Sequence, residues 1–293
     1  MDSRTKGPLI TIVGETASGK SALALDLARQ FNGELICADS WTVYRGFDVG
    51  TAKPTIADRE AVPHHLLDVA DPIDGFSAAV FQRMAKVVIE DIIHRGRLPI
   101  MVGGTGLYID SVLYDYSFLP QSDRRLRGEL NELSLTALVK RAEDDGLDMT
   151  DIDLGNRRRV IRLIENNGLR PSKQEMRENT LVLGVQVSRE DLKERMAKRI
   201  KIMVDLGLED EVRRLSNLYG WDVEPMKGIG YREWREYFEG VQTYAETIDR
   251  ILKASADLAK RQRMWFKRNQ SIQWLSDRSN DEELLTTFLN KTN

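Results

Sequence analysis

Gly14-Glu15-Thr16-Ala17-Ser18-Gly19-Lys20-Ser21 fits the spacing G-x-x-x-x-G-K-[ST] at every fixed position. Between a strand and a helix, such a stretch is built to hold phosphate oxygens. Glycines let successive backbone N–H groups turn inward, and the helix N-terminus adds a favourable dipole. Lys20 contributes a mobile positive charge, and Ser21 a hydroxyl that can ligate a phosphate-bound Mg²⁺. A diphosphate or a triphosphate is the implied ligand, and the loop alone does not choose between them. The default is ATP or GTP with phosphoryl transfer, as in a small-molecule or nucleoside kinase. The usual acidic strand end is missing downstream, because Pro99-Ile100-Met101-Val102 runs into Gly103-Gly104-Thr105.

These residues need elements to hold them. Leu9 to Val13 reads as a buried parallel strand, and Ala22, Leu23, Leu25, Leu27 and Ala28 as the helix after the loop. Leu35-Ile36-Cys37-Ala38 is a second buried strand, so Asp39 falls at the sheet edge where ligands of open α/β folds bind. An Asp there also suits the cap of a turn. Ser77 can cap a helix with apolar positions Val80, Phe81, Met84, Val87, Val88 and Ile92, ended near Gly96. Pro99 to Val102 and Leu181 to Val187 are further strands. Ser188 with Asp191 resembles a capping box before a helix carrying Leu192, Met196, Ile200 and Met203.

Strands alternating with helices predict an α/β fold: a P-loop-type parallel sheet core flanked by helices. From about Pro120 to Asn179 the chain is charged and poor in β signal, which predicts a mainly helical insertion domain. The expected division is 1–118 with 180–293 as the catalytic core, and 119–179 as the insertion. The final part is largely helical, including a long stretch from Thr247 to Lys267.

The 293 residues are 41% hydrophobic and 30% charged, enough apolar material for a sizeable core under a polar surface. No run of about 18 apolar residues is present, so no membrane partner is expected. The N-terminus lacks an apolar export segment, and the single cysteine, Cys37, excludes an internal disulfide or a multi-cysteine zinc site. A cytoplasmic location is expected. With a net charge of −3, any nucleic-acid binding must come from local patches. Asn156–Lys173 carries six basic residues against Glu165, and Arg250–Arg268 carries seven against Asp257. Basic clusters alone favour reading both as solvated helix faces.

The ordered motifs narrow the reading. After the loop come Asp39-Ser40-Trp41-Thr42-Val43-Tyr44, Asp48-Val49-Gly50-Thr51-Ala52-Lys53-Pro54 and Pro63-His64-His65-Leu66. Then follow Val102-Gly103-Gly104-Thr105-Gly106-Leu107-Tyr108, Asn156 to Arg162, Gly228-Ile229-Gly230-Tyr231-Arg232-Glu233 and Ala259-Lys260-Arg261-Gln262. With these, the chain from about Leu9 to Trp274 resembles the bacterial-type tRNA dimethylallyltransferases, the tRNA isopentenyltransferase or IPP transferase family.

That resemblance implies transfer of a dimethylallyl group from dimethylallyl diphosphate to N6 of the adenosine immediately 3′ of the anticodon in tRNA. It gives Gly14 to Ser21 the diphosphate, with Mg²⁺ on Ser21 as cofactor, and makes Arg232 a further cation on that diphosphate or near the reacting centre. Asp39 would take the proton of the adenine amino group, and Thr105 would position the reacting groups. Asp39, Ser40, Trp41, Thr42, Thr105, Arg127, Arg158, Arg159, Val160, Ile161 and Arg162 are the implied contacts to the tRNA anticodon stem-loop. The chain departs from the family where Thr42 replaces the common Gln, Glu15 the usual Pro, and Leu154-Gly155-Asn156 a Pro-Asn-Asp-like stretch. The absence of the zinc-finger extension of eukaryotic relatives fits the bacterial form, and a monomer is expected.

Overall fold

The computed structural model describes residues 6–119, 123–275 and 281–292. The elements run β1 (Leu9–Gly14), α1 (Lys20–Gln30), β2 (Gly33–Ala38), α2 (Ile56–Ala61), β3 (His64–His65), α3 (Ala78–His94), β4 (Leu98–Gly103) and α4 (Gly106–Leu113). Next come α5 (Arg124–Glu132), α6 (Leu135–Asp144) and α7 (Arg157–Glu165). The chain then continues through β5 (Thr180–Val185), α8 (Arg189–Asp205), α9 (Leu208–Tyr219), α10 (Arg235–Phe238), α11 (Tyr244–Phe266), β6 (Ile272–Leu275) and α12 (Asp281–Thr292). It divides into two compact units, one of Met1–Leu113 with Met176–Asn293 and the other of Tyr114–Glu175.

In the larger unit six parallel strands lie in the order β3-β2-β4-β1-β5-β6. Every residue of β1, β2 and β4 is buried, as expected of parallel strands covered on both faces. Leu23, Ala24, Leu27 and Ala28 of α1 pack with Ile10, Ile12, Leu35, Ile100 and Leu183 from the strands. A second core joins Val43, Tyr44 and Phe47 to Ile200 and Met203 of α8, Val212 and Leu215 of α9, Trp234, and Ile251 of α11. Register decides where the site forms. Val13 pairs with Gly103, and Gly103 with Ala38, so the turns after β1, β4 and β2 emerge side by side at one sheet edge.

Helix starts follow local chemistry. Ser77 caps α3 by accepting from Val80 N at 3.3 Å, and Ser188 caps α8 by accepting from Asp191 N at 3.1 Å. Thr243 and Glu246 form a full capping box that starts α11 three residues before the expected Thr247. Val87, read as apolar-face, is exposed in α3, whose buried positions are Ala78, Phe81, Gln82, Ala85, Ile89 and Ile92. The smaller unit has its own core of Leu130, Leu138, Ala142, Val160, Ile161, Leu163 and Ile164. Among the described residues, no helix is long and apolar enough to cross a membrane.

Candidate active site

The phosphate loop leaves β1 at Gly14 and enters α1 at Lys20. Ala17 (φ 62°) and Gly19 (φ 97°) both take left-handed backbone conformations, which Gly19 adopts without steric cost. No side chain caps α1, so the amides of its first turn are not taken by a capping group. That is the arrangement of an anion site at a helix N-terminus. Ser18 N donates to Glu15 O at 3.2 Å, and Lys20 Nζ to the same oxygen at 3.1 Å. Ser21 is exposed on the first turn of α1. Burial, and after it the charge of Arg199, lower the Lys20 ammonium to about 8, against opposing pulls from Asp39 and Glu15.

Two helices from late in the chain brace this loop. From α8, Arg195 Nη1 donates to Ser18 O at 3.1 Å. From α11, Arg263 forms a two-pronged pair with the buried Glu15 carboxylate at 2.7 and 3.0 Å. Gln262 Oε1 accepts from Thr16 N at 2.7 Å while its Nε2 donates to Gly104 O at 3.0 Å. A single amide thus ties the phosphate loop to the turn after β4.

That turn carries Thr105, whose Oγ1 accepts from Ser40 N at 3.0 Å and donates to Ser40 Oγ at 3.3 Å. Asp39 lies beside it, and its Oδ1 accepts from Trp41 N at 2.8 Å. Asp39 thus caps its turn and also lines a cavity. This open cavity, ≈ 690 Å³ counted out to the solvent at its mouth, has polar walls of Thr16, Asp39, Thr51, Arg199, Tyr231 and Ser255. The rest is largely apolar: Trp41, Met196, Ile200, Met203, Ile229, Ile251 and Leu258. Arg199 is half-buried; desolvation lowers its pKa while the Asp39 charge opposes the shift. Lys20, Arg199 and Asp39 form one charge cluster.

Several expected site residues sit elsewhere. Arg232 does not line the cavity; its side chain is 54% exposed and its Nε donates to Glu233 Oε1 at 2.8 Å. The arginine that neighbours Lys20 and Asp39 is Arg199, which sequence reading missed. Its signal was the spacing of Arg195 and Arg199 beside the apolar stripe of α8. Thr42 is buried, with its hydroxyl unpartnered and shielded from solvent. Val160 and Ile161, expected against RNA, instead fill the core of the smaller unit. Every third or fourth residue of α7 must bury for that unit to have a core at all. Arg127 and Arg162 converge on Glu165 at 2.6 and 3.3 Å. Arg157 donates to the carbonyls of Leu130, Asn131 and Leu133, closing the C-terminal end of α5. Arg158 and Arg159 are exposed. In the second basic segment Arg263 is spent on Glu15 and Arg250 pairs with Glu236 at 2.6 Å. Gln262 belonged to a recognised motif without a role assigned to it.

Fold and site together define a phosphate-loop α/β protein that sets an anion cradle beside a carboxylate and an apolar cavity. The IPP transferase family model matches residues 42–269. A tRNA dimethylallyltransferase of Roseiflexus sp. (strain RS-1) is 44% identical over 279 residues, covering 90% of this chain and 92% of that protein. The tRNA dimethylallyltransferase of Bacillus subtilis (strain 168) is 36% identical, with 93% and 91% covered. Among solved structures, the tRNA isopentenylpyrophosphate transferase of Bacillus halodurans superposes with a TM-score of 0.75 at 36% identity, covering 98% of this chain and 97% of that one. A eukaryotic dimethylallyltransferase acting on tRNA gives 0.82 at 25% identity, with 97% and 80% covered. The chain belongs to the IPP transferase family, whose matching members are named tRNA dimethylallyltransferases.

Proposed function

We propose that this enzyme transfers a dimethylallyl group from dimethylallyl diphosphate to N6 of the adenosine 3′ of the tRNA anticodon, releasing diphosphate. The observation that carries this reading is the composition of the cavity. A phosphate loop opens beside a carboxylate and a wall of Met196, Ile200, Met203, Ile229, Ile251 and Leu258. Hydrocarbon walls suit an allylic tail, whereas a nucleoside triphosphate would bring a ribose and base with many groups to satisfy.

The adenine amino nitrogen is a poor nucleophile because its lone pair is delocalised into the ring. As it attacks the allylic carbon, the C–N bond forms, the C–O bond breaks and Asp39 takes the released proton. Charge grows on the departing diphosphate, where the loop amides, Lys20, Arg195 and Arg199 stabilise it. The residues fit a Mg²⁺: exposed Ser21, at the start of α1, would hold it through its hydroxyl. When bound, the ion supplies further neutralisation of the leaving group. Among the described residues there is no cluster of three or more His, Cys, Asp or Glu for a separate metal site. Thr105 and Ser40 hold the Asp39 turn in register. Exposed Arg158 and Arg159 are the first candidates to grip RNA phosphates while the target base leaves its stack.

Purified protein incubated with labelled dimethylallyl diphosphate and tRNA should move label into RNA, recoverable as an N6-alkylated adenosine. Label transfer from ATP to a small acceptor, with none from the allylic donor, would reverse this assignment.

A further inference from the structure

Glu211 on α9 has burial that the mechanism above does not require. Its side chain is 8% exposed, and its carboxylate accepts four hydrogen bonds. Asp48 N and Val49 N donate to Oε2 at 3.1 and 2.9 Å, and Gly50 N and the Tyr231 hydroxyl donate to Oε1 at 3.0 and 2.7 Å. All four of these partners are neutral. A buried carboxylate held by neutral donors is costly to keep, and it persists where it fixes a geometry.

The geometry it fixes belongs to the cavity. Gly50 and Tyr231, from turns far apart in the chain, both line the cavity wall. They also touch each other so closely that a Cβ on Gly50 would lie 2.5 Å from the Tyr231 ring, so the residue there must be Gly. The next residue, Thr51, lines the cavity too, and its carbonyl accepts from Arg199 Nη2 at 3.5 Å. A continuous chain therefore runs from the Glu211 carboxylate through the amides of residues 48–50 to the Thr51 carbonyl and the Arg199 guanidinium. Lys53 anchors the far end of this segment by donating to Tyr44 O, Asp48 Oδ1 and Asp68 Oδ1 at 2.6, 2.8 and 2.6 Å.

We infer that Glu211 is a positioning residue for the allylic diphosphate: it fastens the 48–51 turn to Tyr231 and thereby aims Arg199 at the leaving group. The inference rests on the proposed reading of the cavity as the donor site. Glu211→Gln keeps the shape but replaces one acceptor oxygen with an NH₂ group, which faces donors and cannot accept from them. The turn and Arg199 then loosen without any change to the tRNA-gripping arginines.

The test is steady-state kinetics of the full chain with dimethylallyl diphosphate and tRNA, wild type in parallel. For Glu211→Gln, KM for the donor should rise about tenfold, while KM for tRNA changes by less than about twofold. In a double-mutant cycle with Arg199→Lys the two effects should be markedly less than additive, because both act through one guanidinium. If the Gln variant does not fold, Tyr231→Phe, which removes one donor from the same carboxylate, should give a smaller, donor-selective rise of about threefold. Equal changes in both KM values, no change, or full additivity with Arg199→Lys would overturn the inference. A wild type that transfers no allylic group would instead sink the underlying functional reading.

Discussion

Lys20 makes a quantitative prediction about donor binding. Its ammonium is held at about 8 against an ordinary 10.5, mainly by burial and next by Arg199. At ~1.4 kcal/mol per unit, the empty site disfavours the charged form by ~3 kcal/mol. A bound diphosphate places anionic oxygens against that charge and raises the pKa again. The donor should then take up a proton wherever the free lysine is neutral: ~0.1 proton at pH 7 and ~0.9 at pH 9. Donor affinity should stay level below pH ~7.5 and weaken about elevenfold by pH 9. Stability of the free protein should move oppositely. Between 8 and 10.5 the unfolded lysine binds more protons than the folded one, so this group adds up to ~3 kcal/mol as pH rises through that window. Titration calorimetry with dimethylallyl diphosphate and no tRNA, in two buffers of different ionisation heat, measures the uptake directly. Lys20→Met should erase the difference between pH 7 and pH 9. Equal uptake at both pH values in the wild-type protein would refute the reasoning.

Other expectations are simpler to read. Asp39→Asn retains the oxygen that caps Trp41 N, so donor binding should persist while transfer falls by ~10²–10⁴-fold in single-turnover assays. Arg263→Met leaves the Glu15 carboxylate buried without its partner and should destabilise the fold by ~3–5 kcal/mol in urea titrations. Adding Glu15→Pro, which removes the stranded carboxylate, should recover most of that loss. In the smaller unit, Leu138→Ala should cost ~2–5 kcal/mol of stability. Arg159→Ala should leave stability within ~0.5 kcal/mol and lower the salt slope of tRNA binding by about one.

What the amino-acid sequence disclosed follows from how local each signal is. β1, β2, β4 and β5 were legible because a strand buried on both faces writes itself as an unbroken aliphatic run. β3, with two residues, and β6, with Gln273 and Trp274 turned to solvent, carry no such run. The phosphate loop is contiguous and could be read whole, and Asp39 could be placed because the end of β2 was clear. Arg199, Gln262 and Arg263 escaped because their partners lie 148 to 248 residues away, and Glu211 because three of its four donors lie 161 to 163 residues away. Helical period assigns a face to such residues but not an addressee. For Arg232 a tight local motif suggested a role at the centre, whereas its Nε donates to adjacent Glu233 and its side chain stands outside the cavity lining.

The two braces from α11 have a consequence for biosynthesis. Glu15 and Thr16 leave the ribosome early, yet their partners Arg263 and Gln262 follow 248 and 246 residues later. A nascent chain can therefore pair β1 to β4 long before the phosphate loop acquires its final braces. Products truncated before α11 would be inert towards the donor, and competence would arrive only once that helix has been made.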